Sequence, residues 1–279
     1  MNEEGTCPNG LEQEVPESHP RYKSLLIRNR VVQGVEQGVT SPHGLIAHGR
    51  GEAFDYLIGE VTCDFAVEAI EAAAAHLLLA KRPVISMNGN TTAIVPDESI
   101  DISKALGCPL EINIFHSSKE RELAMQSALL ERGAPIVLMP EQEFTLDYID
   151  SNRRFVHRDG IYTSDCVFVP LEDGDRCEAL RRMGKVVIVV DLNPMSRTAQ
   201  TASVTIVDNV IRALPALLAS LVFLKGMSSA ELVAIVDKYD NQRVLRQAEE
   251  RIRRAAYSFS VNIASGDFSS ARQGYSGKN

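Results

Sequence analysis

The sequence has few cysteines, no long uninterrupted apolar run and fewer basic than acidic residues. Its five cysteines are odd in number and widely spaced, with no Cys-x-x-Cys pair, which argues against a disulfide framework and a zinc ribbon. The longest apolar stretch, residues 210–224, is interrupted by Arg212 and Pro215 and is shorter than the roughly 20 residues of a membrane-spanning helix. The acidic N-terminus lacks the apolar segment of a signal peptide. We therefore expect a cytoplasmic protein with reduced thiols and no membrane partner.

Lysine and arginine number 29 against 37 acidic residues, so the net charge is −8 and the isoelectric point is about 5.4. Binding along a nucleic-acid backbone needs a basic face, so we expect no nucleic-acid partner, although a local anion pocket is compatible with this charge. Gly184-Lys185 is followed by valine, so the sequence lacks a P-loop motif. Residues 49–51 resemble the start of a dinucleotide fingerprint but lack its third glycine, which disfavours a nicotinamide oxidoreductase.

Short apolar runs alternate with helical patterns from residue 83 onward. Runs that are apolar on both faces of a strand are typical of a parallel sheet covered on both sides by helices. We predict an α/β fold: a doubly wound, mostly parallel, Rossmann-like sheet with helices on both faces and an N-terminal helical segment. The predicted strands are 83–87, 111–115, 135–139, 166–169, 185–190 and 204–207, and the predicted helices include 20–37, 65–81, 117–132 and 175–183.

We predict a single α/β domain over residues 18–257, between flexible tails at 1–17 and 258–279. The first tail is acidic and the second is rich in serine and glycine, so neither has much to bury in a core. The pattern divides the domain into an N-terminal helical part (18–82), a sheet part (83–225) and C-terminal helices (226–257).

Each predicted strand is followed by a short polar cluster. Ligands of open α/β sheets bind outside the carboxyl ends of the strands, so these clusters predict a ligand pocket. Its candidate substrate-binding residues are Asn88, Asn90, Asp173 and Asp175. Asparagine and aspartate are also common turn and cap residues, so a structural role stays open for each of them. The acidic cluster at 172–175 either faces water or holds a cation such as Mg²⁺.

Residues 44–56 combine three glycines with four kinds of ionisable side chain. Glycine lets a backbone approach a ligand closely, and the planar guanidinium of Arg50 suits a phosphate or carboxylate, so this segment predicts a ligand-binding loop. The alternative interpretation is a tight loop with a surface Arg50–Glu52 pair. His48 taken by itself is more often a packed, hydrogen-bonded histidine than a catalyst.

Two further segments predict anion contacts. Arg28 falls inside the apolar arc of the first helix, where it must extend to solvent, pair with an acid or meet an anionic ligand. The segment 191–199 follows the most apolar strand, and its polar turn and Arg197 suit an anion site at the switch point of the sheet.

Six runs occur along the chain in this order: 18–22 (SHPRY), 44–59 (GLIAHGRGEAFDYLIG), 84–90 (VISMNGN), 169–176 (VPLEDGDR), 191–200 (DLNPMSRTAQ) and 205–209 (TIVDN). Together they resemble the archaeal phosphopantothenate synthetases, or 4-phosphopantoate–β-alanine ligases, of coenzyme A synthesis. The likeness extends from about residue 18 to about residue 256 and leaves out only the two tails. Several runs in matching order are more specific than any single motif above.

The resemblance implies a homodimeric ligase that uses ATP and Mg²⁺ to join 4-phosphopantoate to β-alanine, releasing AMP and pyrophosphate through an acyl-adenylate. The positions that match the family's ATP contacts are Arg28, Arg50, Asp191, Leu192, Asn193, Arg197, Thr198, Asn209 and Val210. Arginines and Mg²⁺ stabilise the charge that develops on phosphoryl oxygens and on leaving pyrophosphate. The attacking amine needs a base, for which His48 or Glu52 is our candidate, while Asp191 is a candidate metal or amine contact.

The alanine-rich helix at 65–81 has more apolar area than a simple surface helix needs, which we interpret as a second indication of dimerisation. A different class of function stays open, a non-catalytic nucleotide-sensing module, because fold does not fix function. ATP binding without turnover in the presence of both substrates would favour that alternative.

Overall fold

The computed structural model describes residues 16–19, 21–115, 118–171 and 174–264, with side chains described as far as residue 255. Three helices precede the sheet: α1 (Tyr22–Glu36), α2 (Pro42–Ile58) and α3 (Asp64–Leu79). α2 begins with a proline in its first turn, where the missing N–H costs no helical hydrogen bond. It ends at Gly59, whose φ of 102° lies in the left-handed region that favours glycine.

The rest of the chain alternates between strands and helices. In chain order these elements are β1 (Pro83–Met87), α4 (Gly89–Ile94), α5 (Pro96–Leu106), β2 (Leu110–Ile112), α6 (Lys119–Glu131), β3 (Val137–Leu138), β4 (Glu141–Thr145), β5 (Phe155–Val156), β6 (Cys166–Val169), α7 (Gly174–Arg182), β7 (Val186–Val190), α8 (Arg197–Thr201), β8 (Val204–Ile206), α9 (Val210–Leu224), α10 (Ser229–Lys238) and α11 (Asn241–Ala264). A 3-10 helix (Asn152–Arg154) precedes β5, and a π-helical turn (Arg158–Tyr162) follows it.

Six strands form one parallel sheet in the order β3-β2-β1-β6-β7-β8, and β4 pairs with β5 in a separate antiparallel hairpin. Without the hairpin, the six sheet strands have the order 3-2-1-4-5-6 of a doubly wound Rossmann sheet. The strand order reverses between β1 and β6, so the crevice outside the carboxyl ends of these two strands is the switch point. The predicted fold class is confirmed.

Alternate residues of the strands pack into two apolar cores, one on each face of the sheet. Phe168 and Ile188 belong to the core that α3, α5, α6 and α9 cover, whereas Val167 and Val187 belong to the core that α7 and the hairpin region cover. This alternation is the period of two that a strand imposes on its side chains. It explains why these strands are apolar on both faces.

α3 lies within the first of these cores and contacts α9, α10 and β8. Its buried residues are Phe65, Ala66, Ala69, Ile70, Ala72, Ala73, Ala74, Ala75 and Leu77. The small alanines let the neighbouring helices approach closely, and most of the apolar area of α3 is covered within the chain, with Val67 exposed. The interpretation of helix 65–81 as an exposed dimer surface is therefore wrong.

The predicted strands 83–87 and 166–169 agree with the structure at both ends, and the bounds of the other four differ by one to three residues. The ligand-binding loop predicted over 44–56 is wrong, because these residues form most of α2. The alternative interpretation of this segment as a tight loop is wrong for the same reason. We attribute the error to the glycines, whose low helix propensity is offset here by a proline start and a glycine end.

The predicted C-terminal tail begins within α11, which continues through Ala264. The other tail residues, 1–15 and 265–279, lie outside the described part of the chain. The division of the domain into three parts stays a prediction. Over the residues that are described, no helix is long and apolar enough to cross a membrane.

Candidate active site

A cavity of about 860 Å³ lies between α2 and the carboxyl ends of the sheet strands. Residues that follow β1, β2, β6, β7 and β8 contribute to its walls, so the cavity crosses the switch point. The predicted site residues that line it are His48, Arg50, Glu52, Asn88, Asn90, Asp191, Leu192, Asn193, Arg197, Thr198, Asn209 and Val210. Arg28 and Asp175 lie outside this lining, and Asp173 lies outside the described residues.

α2 carries His48, Arg50 and Glu52 along one wall of the cavity. Arg28 of α1 donates two hydrogen bonds to Glu52, from Nε to Oε2 at 2.8 Å and from Nη2 to Oε1 at 2.7 Å. The hydroxyl of Tyr56 also donates to Glu52. Of the three alternatives for Arg28, the structure selects pairing with an acid. The surface pair between Arg50 and Glu52 is wrong, because Glu52 is buried and its carboxylate is engaged by Arg28.

His48 and Glu52 lie one helical turn apart but differ in their electrostatics. Burial opposes ionisation of Glu52, but the hydrogen bonds from Arg28 and Tyr56 outweigh this effect and hold the pKa of Glu52 below its usual range. Burial lowers the pKa of His48, and the Glu52 charge opposes this only in part. The Nε2 atom of His48 is buried and has no hydrogen-bond partner in the described residues. At neutral pH, therefore, Glu52 is a paired anion, and His48 is a neutral imidazole whose buried Nε2 has no partner among the described residues.

The turn after β7 is organised by Asp191. Its carboxylate accepts a hydrogen bond from the Asn193 backbone N–H at 2.9 Å and another from the Ser196 hydroxyl. The Ser196 oxygen in turn accepts from the Ala199 N–H at 2.9 Å and caps α8. Burial raises the pKa of Asp191, and these two hydrogen bonds only partly oppose the shift.

Arg197 follows this turn and reaches across the first residue of α7. A Cβ atom built on Gly174 would lie 2.8 Å from Arg197 Cβ and 2.9 Å from its Cγ and Cδ, which is closer than real Cβ contacts. The guanidinium Nε lies 3.8 Å from Glu178 Oε2, and the side chain is largely exposed at the cavity. Only glycine at position 174 therefore leaves Arg197 in this orientation.

A buried ionic network joins α2 to the end of β8. Arg212 Nη2 donates to Asp55 Oδ1 and to Asp208 Oδ1, both at 2.6 Å. Thr62 donates to the second oxygen of Asp208 at 2.6 Å. Asn209 Nδ2 donates to Asp55 Oδ2 at 2.7 Å, and its Oδ1 accepts from the N–H of Ile211, which caps α9. Asn209 is thereby fixed by its side chain, and it lines the cavity next to Val210.

Asn88 and Asn90 have their side-chain amides engaged within the protein. Asn88 accepts from the Thr91 N–H at 2.9 Å, which caps α4, and donates to the Leu171 carbonyl at 2.5 Å across the switch point. Asn90 accepts from the Thr40 hydroxyl at 2.7 Å and donates to the Gly44 carbonyl at 2.9 Å. These contacts favour the structural alternative for both residues. Their role in substrate binding stays a prediction.

Three basic residues that the sequence patterns did not single out also line the cavity: His43, Arg121 and Arg153. Arg121 lies in the first turn of α6 and donates its backbone N–H to the Ser118 cap at 3.2 Å. A serine cap directly after a predicted strand was a signal that could have placed Arg121 at the strand end. Arg153 lies in the 3-10 helix before β5, where no periodic pattern marks it.

No group of three or more histidine, cysteine, aspartate or glutamate side chains is arranged to hold a metal ion within the described part of the chain. Among the described residues, the carboxylates that line the cavity are Glu52, Asp191 and Asp208. Arginines pair with Glu52 and Asp208, whereas Asp191 accepts only from neutral donors among the described residues. One such carboxylate fits Mg²⁺ that arrives with phosphate and water ligands of its own.

The 3-2-1-4-5-6 strand order defines a Rossmann-like α/β protein, and several arginines line the cavity across its switch point. The sequence model for phosphopantothenate/pantothenate synthetase matches residues 65–255. The chain belongs to this family.

Three relatives described as 4-phosphopantoate–β-alanine ligases match most of the chain. The Thermococcus kodakarensis protein is 48% identical over 240 residues, which cover 86% of this chain and 92% of the relative. The Methanosarcina mazei protein is 47% identical over 239 residues, with 86% and 94% covered. The Methanospirillum hungatei protein is 43% identical over 239 residues, with 86% and 96% covered. These matches confirm the family resemblance that the six sequence runs indicated.

Proposed function

We propose that this chain is an ATP-dependent ligase that joins 4-phosphopantoate to β-alanine and forms 4′-phosphopantothenate, AMP and pyrophosphate. The names of its relatives support the activity. One observation of this structure carries the proposal: a continuous cavity of about 860 Å³ spans both sides of the switch point. This volume lies in the range of small-molecule sites and leaves room for a nucleotide beside a second phosphorylated substrate.

ATP is assigned to the side of the cavity formed by α2 and the ends of β7 and β8. Arg50 and Arg197 supply cations there, and the backbone N–H groups at the start of α9 lie beside Asn209 and Val210. Helix N-termini and arginines both favour negatively charged phosphate oxygens. Arg28 takes part indirectly in this arrangement, because its pair with Glu52 holds the α2 wall against α1.

The reaction proceeds by adenylation in this proposal. A carboxylate oxygen of 4-phosphopantoate attacks the α-phosphorus of ATP, and pyrophosphate leaves with the electrons of the broken P–O bond. The β-alanine amine then attacks the acyl carbon, and AMP leaves as the C–O bond breaks. Negative charge grows on phosphoryl oxygens in the first step, which Arg50 and Arg197 stabilise by position and charge.

His48 is the base that accepts a proton from the attacking amine. Its buried Nε2 and lowered pKa give a neutral imidazole at physiological pH, which a general base requires. Glu52 is less suited, because its carboxylate already accepts hydrogen bonds from Arg28 and Tyr56. Asp191 would hold Mg²⁺ that enters with ATP, and the ion would neutralise charge on the phosphates.

The reaction is tested by incubating the full chain with ATP, Mg²⁺, 4-phosphopantoate and β-alanine, and by omitting each component in turn. AMP, pyrophosphate and phosphopantothenate should form in equal amounts. With 4-phosphopantoate labelled by ¹⁸O in its carboxylate, one label should appear in AMP. ADP and inorganic phosphate as products, or AMP without the label, would contradict the adenylation route. Tight ATP binding with no turnover would favour the nucleotide-sensing alternative.

Homodimerisation is a further part of this proposal, and the exposed face of α2 supports it. Leu45, Ile46, Tyr56 and Leu57 are 37–66% exposed, and Val61 just beyond the helix is 48% exposed. Residues eleven apart return to the same side of a helix, so these side chains form one apolar stripe. Light scattering at micromolar concentration should give twice the 30.6 kDa chain mass.

The matched variants for the dimer are Ile46→Glu and Phe223→Glu. Both residues are exposed, but Phe223 lies on α9, away from the α2 stripe. A dimer that Ile46→Glu dissociates and Phe223→Glu leaves intact would support this interface. A wild-type chain that stays monomeric would contradict dimerisation itself.

A further inference from the structure

A second cavity, of about 370 Å³, lies between the start of α6 and the β4–β5 hairpin. It is next to the larger cavity, because Ile114 belongs to the lining of both. We propose that this second cavity binds β-alanine as a zwitterion. The inference rests on the proposed function, because it assigns one substrate of that reaction to a place in the protein. β-Alanine is much smaller than the cavity, which leaves room for bound water.

The second cavity is lined by one positive and one negative side chain among the described residues. Lys119 and Glu122 both lie in the first turn of α6, and Lys119 Nζ is 3.9 Å from Glu122 Oε2. The other polar side chains of the lining are uncharged: Asn113, Ser118, Gln142 and Asn152. A lining with no net charge but with separate positive and negative groups matches a ligand that has one ammonium and one carboxylate group.

Charge distinguishes β-alanine from the other two substrates. ATP and 4-phosphopantoate are anions, and the described lining of the second cavity contains no arginine, whereas several arginines line the larger cavity. The side chain of Glu122 is only 7% exposed, and a buried carboxylate repels a phosphate brought beside it. A carboxylate has enough lone pairs to accept from an ammonium as well as from groups of the protein. β-Alanine is the one substrate with an ammonium group, so the second cavity favours it.

The first turn of α6 gives the ligand a direction. Arg121 lines the larger cavity and the next residue, Glu122, lines the second, so the start of α6 lies between the two cavities. Lys119 is 66% exposed, and Gln142 and Asn152 are also exposed, so these three residues form the solvent side of the second cavity. In this proposal the amine lies at Glu122 and the carboxylate lies at Lys119. The amine is then the end of β-alanine that faces the acyl group in the larger cavity.

Two buried side chains from the β2 segment hold the hairpin wall of the second cavity. Glu111 accepts from the backbone N–H of His157 at 2.9 Å and from that of Ile161 at 2.6 Å. Asn113, which lines the cavity, donates from Nδ2 to the Phe155 carbonyl at 3.0 Å. Glu111 and Asn113 are two residues apart in an extended segment, so they lie on the same face. The wall is therefore fixed in position before any ligand binds, as a specific site requires.

The test compares the full chain with three variants: Glu122→Gln, Lys119→Gln and Gln142→Glu. Glu120→Gln is the matched control, because Glu120 lies in the same turn of α6 but is exposed and lines neither cavity. AMP formation gives the KM values for β-alanine, ATP and 4-phosphopantoate. ATP–pyrophosphate exchange with 4-phosphopantoate measures the first step alone, in which β-alanine takes no part. Melting temperatures of all variants show whether each one folds.

We expect Glu122→Gln to raise the KM for β-alanine roughly tenfold to hundredfold, as for the loss of a charge-assisted contact. Lys119→Gln should raise it about threefold to fivefold, because the lysine is largely exposed. Gln142→Glu adds a negative charge beside the β-alanine carboxylate and should raise the same KM. The KM values for ATP and 4-phosphopantoate and the exchange rate should stay within about twofold of the wild-type values.

Propylamine separates the two ends of the ligand, because it has the amine of β-alanine but a methyl group in place of the carboxylate. The preference for β-alanine over propylamine should fall in Lys119→Gln and in Gln142→Glu, since both variants act on the carboxylate. Glu122→Gln should impair both amines. If Glu122→Gln fails to fold, the variants at the exposed Lys119 and Gln142 carry the test.

Three results would overturn the inference. In the first, the cavity variants slow the exchange reaction or raise the KM for ATP or 4-phosphopantoate instead of that for β-alanine. In the second, Glu120→Gln has the same effect as Glu122→Gln. In the third, Lys119→Gln and Gln142→Glu leave the preference for β-alanine over propylamine unchanged. Each of these leaves the ligase function intact, whereas a wild-type chain that forms no AMP with any amine would overturn the proposed function as well.

Discussion

Replacing Arg212 with methionine tests the ionic network that fixes α2 to the sheet. Arg212 is only 22% exposed and lies between the carboxylates of Asp55 and Asp208, which are 7% and 0% exposed. The variant keeps much of the side-chain volume but leaves two buried carboxylates next to each other without a cation. Breaking a buried ion pair on one side costs about 3–5 kcal/mol of unfolding free energy. At about 2–4 °C per kcal/mol, this predicts a melting temperature lower by about 6–20 °C.

The loss should depend on pH in a defined direction. Burial raises the pKa of Asp208 even with Arg212 present, and removing that positive charge raises it further. A carboxyl with a higher pKa in the folded state destabilises the fold when it is ionised. This cost is absent below the unfolded-state pKa of about 4. It grows as the pH rises from that value through the pKa of the folded state. The difference between wild type and Arg212→Met should therefore be smaller at pH 5 than at pH 8.

Urea unfolding monitored by circular dichroism at pH 5 and pH 8 measures this difference. Arg246→Met is the matched control, because Arg246 is 66% exposed and its nearest contact to Asp240 is 3.9 Å. That control should lose no more than about 0.5 kcal/mol at either pH. A loss below about 1 kcal/mol for Arg212→Met, or an equal loss at both pH values, would refute the network's role.

Three further predictions concern the nucleotide side of the cavity and its base. Arg50→Ala should raise the KM for ATP by roughly tenfold to hundredfold, and Arg50→Lys should recover only part of the loss. A lower melting temperature with unchanged ATP kinetics would make Arg50 structural. His48→Gln should slow amide formation, while ATP–pyrophosphate exchange with 4-phosphopantoate continues; loss of exchange would contradict its role as the base. Gly174→Ala should displace Arg197 and raise the KM for ATP without destabilising α7, and the double variant with Arg197→Gly, which removes the clashing Cβ, should be no worse than Arg197→Gly alone.

The sheet was predictable because its strands are apolar on both faces and short. Pro83–Met87 and Cys166–Val169 match the prediction at both ends, since burial on both sides leaves Ser86 as the one polar residue in these two strands. α2 was not predicted, because its three glycines and several ionisable residues obscure the apolar periodicity that is typical of a helix. Its Ser41-Pro42 start and Gly59 end were signals that a helix search by terminal residues would have found.

The candidate site was predictable in its location and less so in its contacts. The rule that ligands bind at strand ends led to the edge of the sheet where the cavity lies, and most of the residues predicted from the six runs line that cavity. The pairing of Arg28 with Glu52 joins residues 24 positions apart on two helices, so no local pattern reveals it. Arg153 lies in an irregular segment, where side-chain direction depends on the tertiary fold alone.

The attachments of α2 have a consequence for how the protein is made. Asp55 bonds to Arg212, 157 residues later, and the Ile58 carbonyl accepts from Arg251, 193 residues later. During synthesis, α2 leaves the ribosome long before these partners exist. Until then Asp55 and the C-terminal end of α2 lack these partners, and such distant contacts form slowly because the connecting chain must first be ordered. The α2 wall of the candidate site is thus among the first segments translated and among the last that can reach its final position.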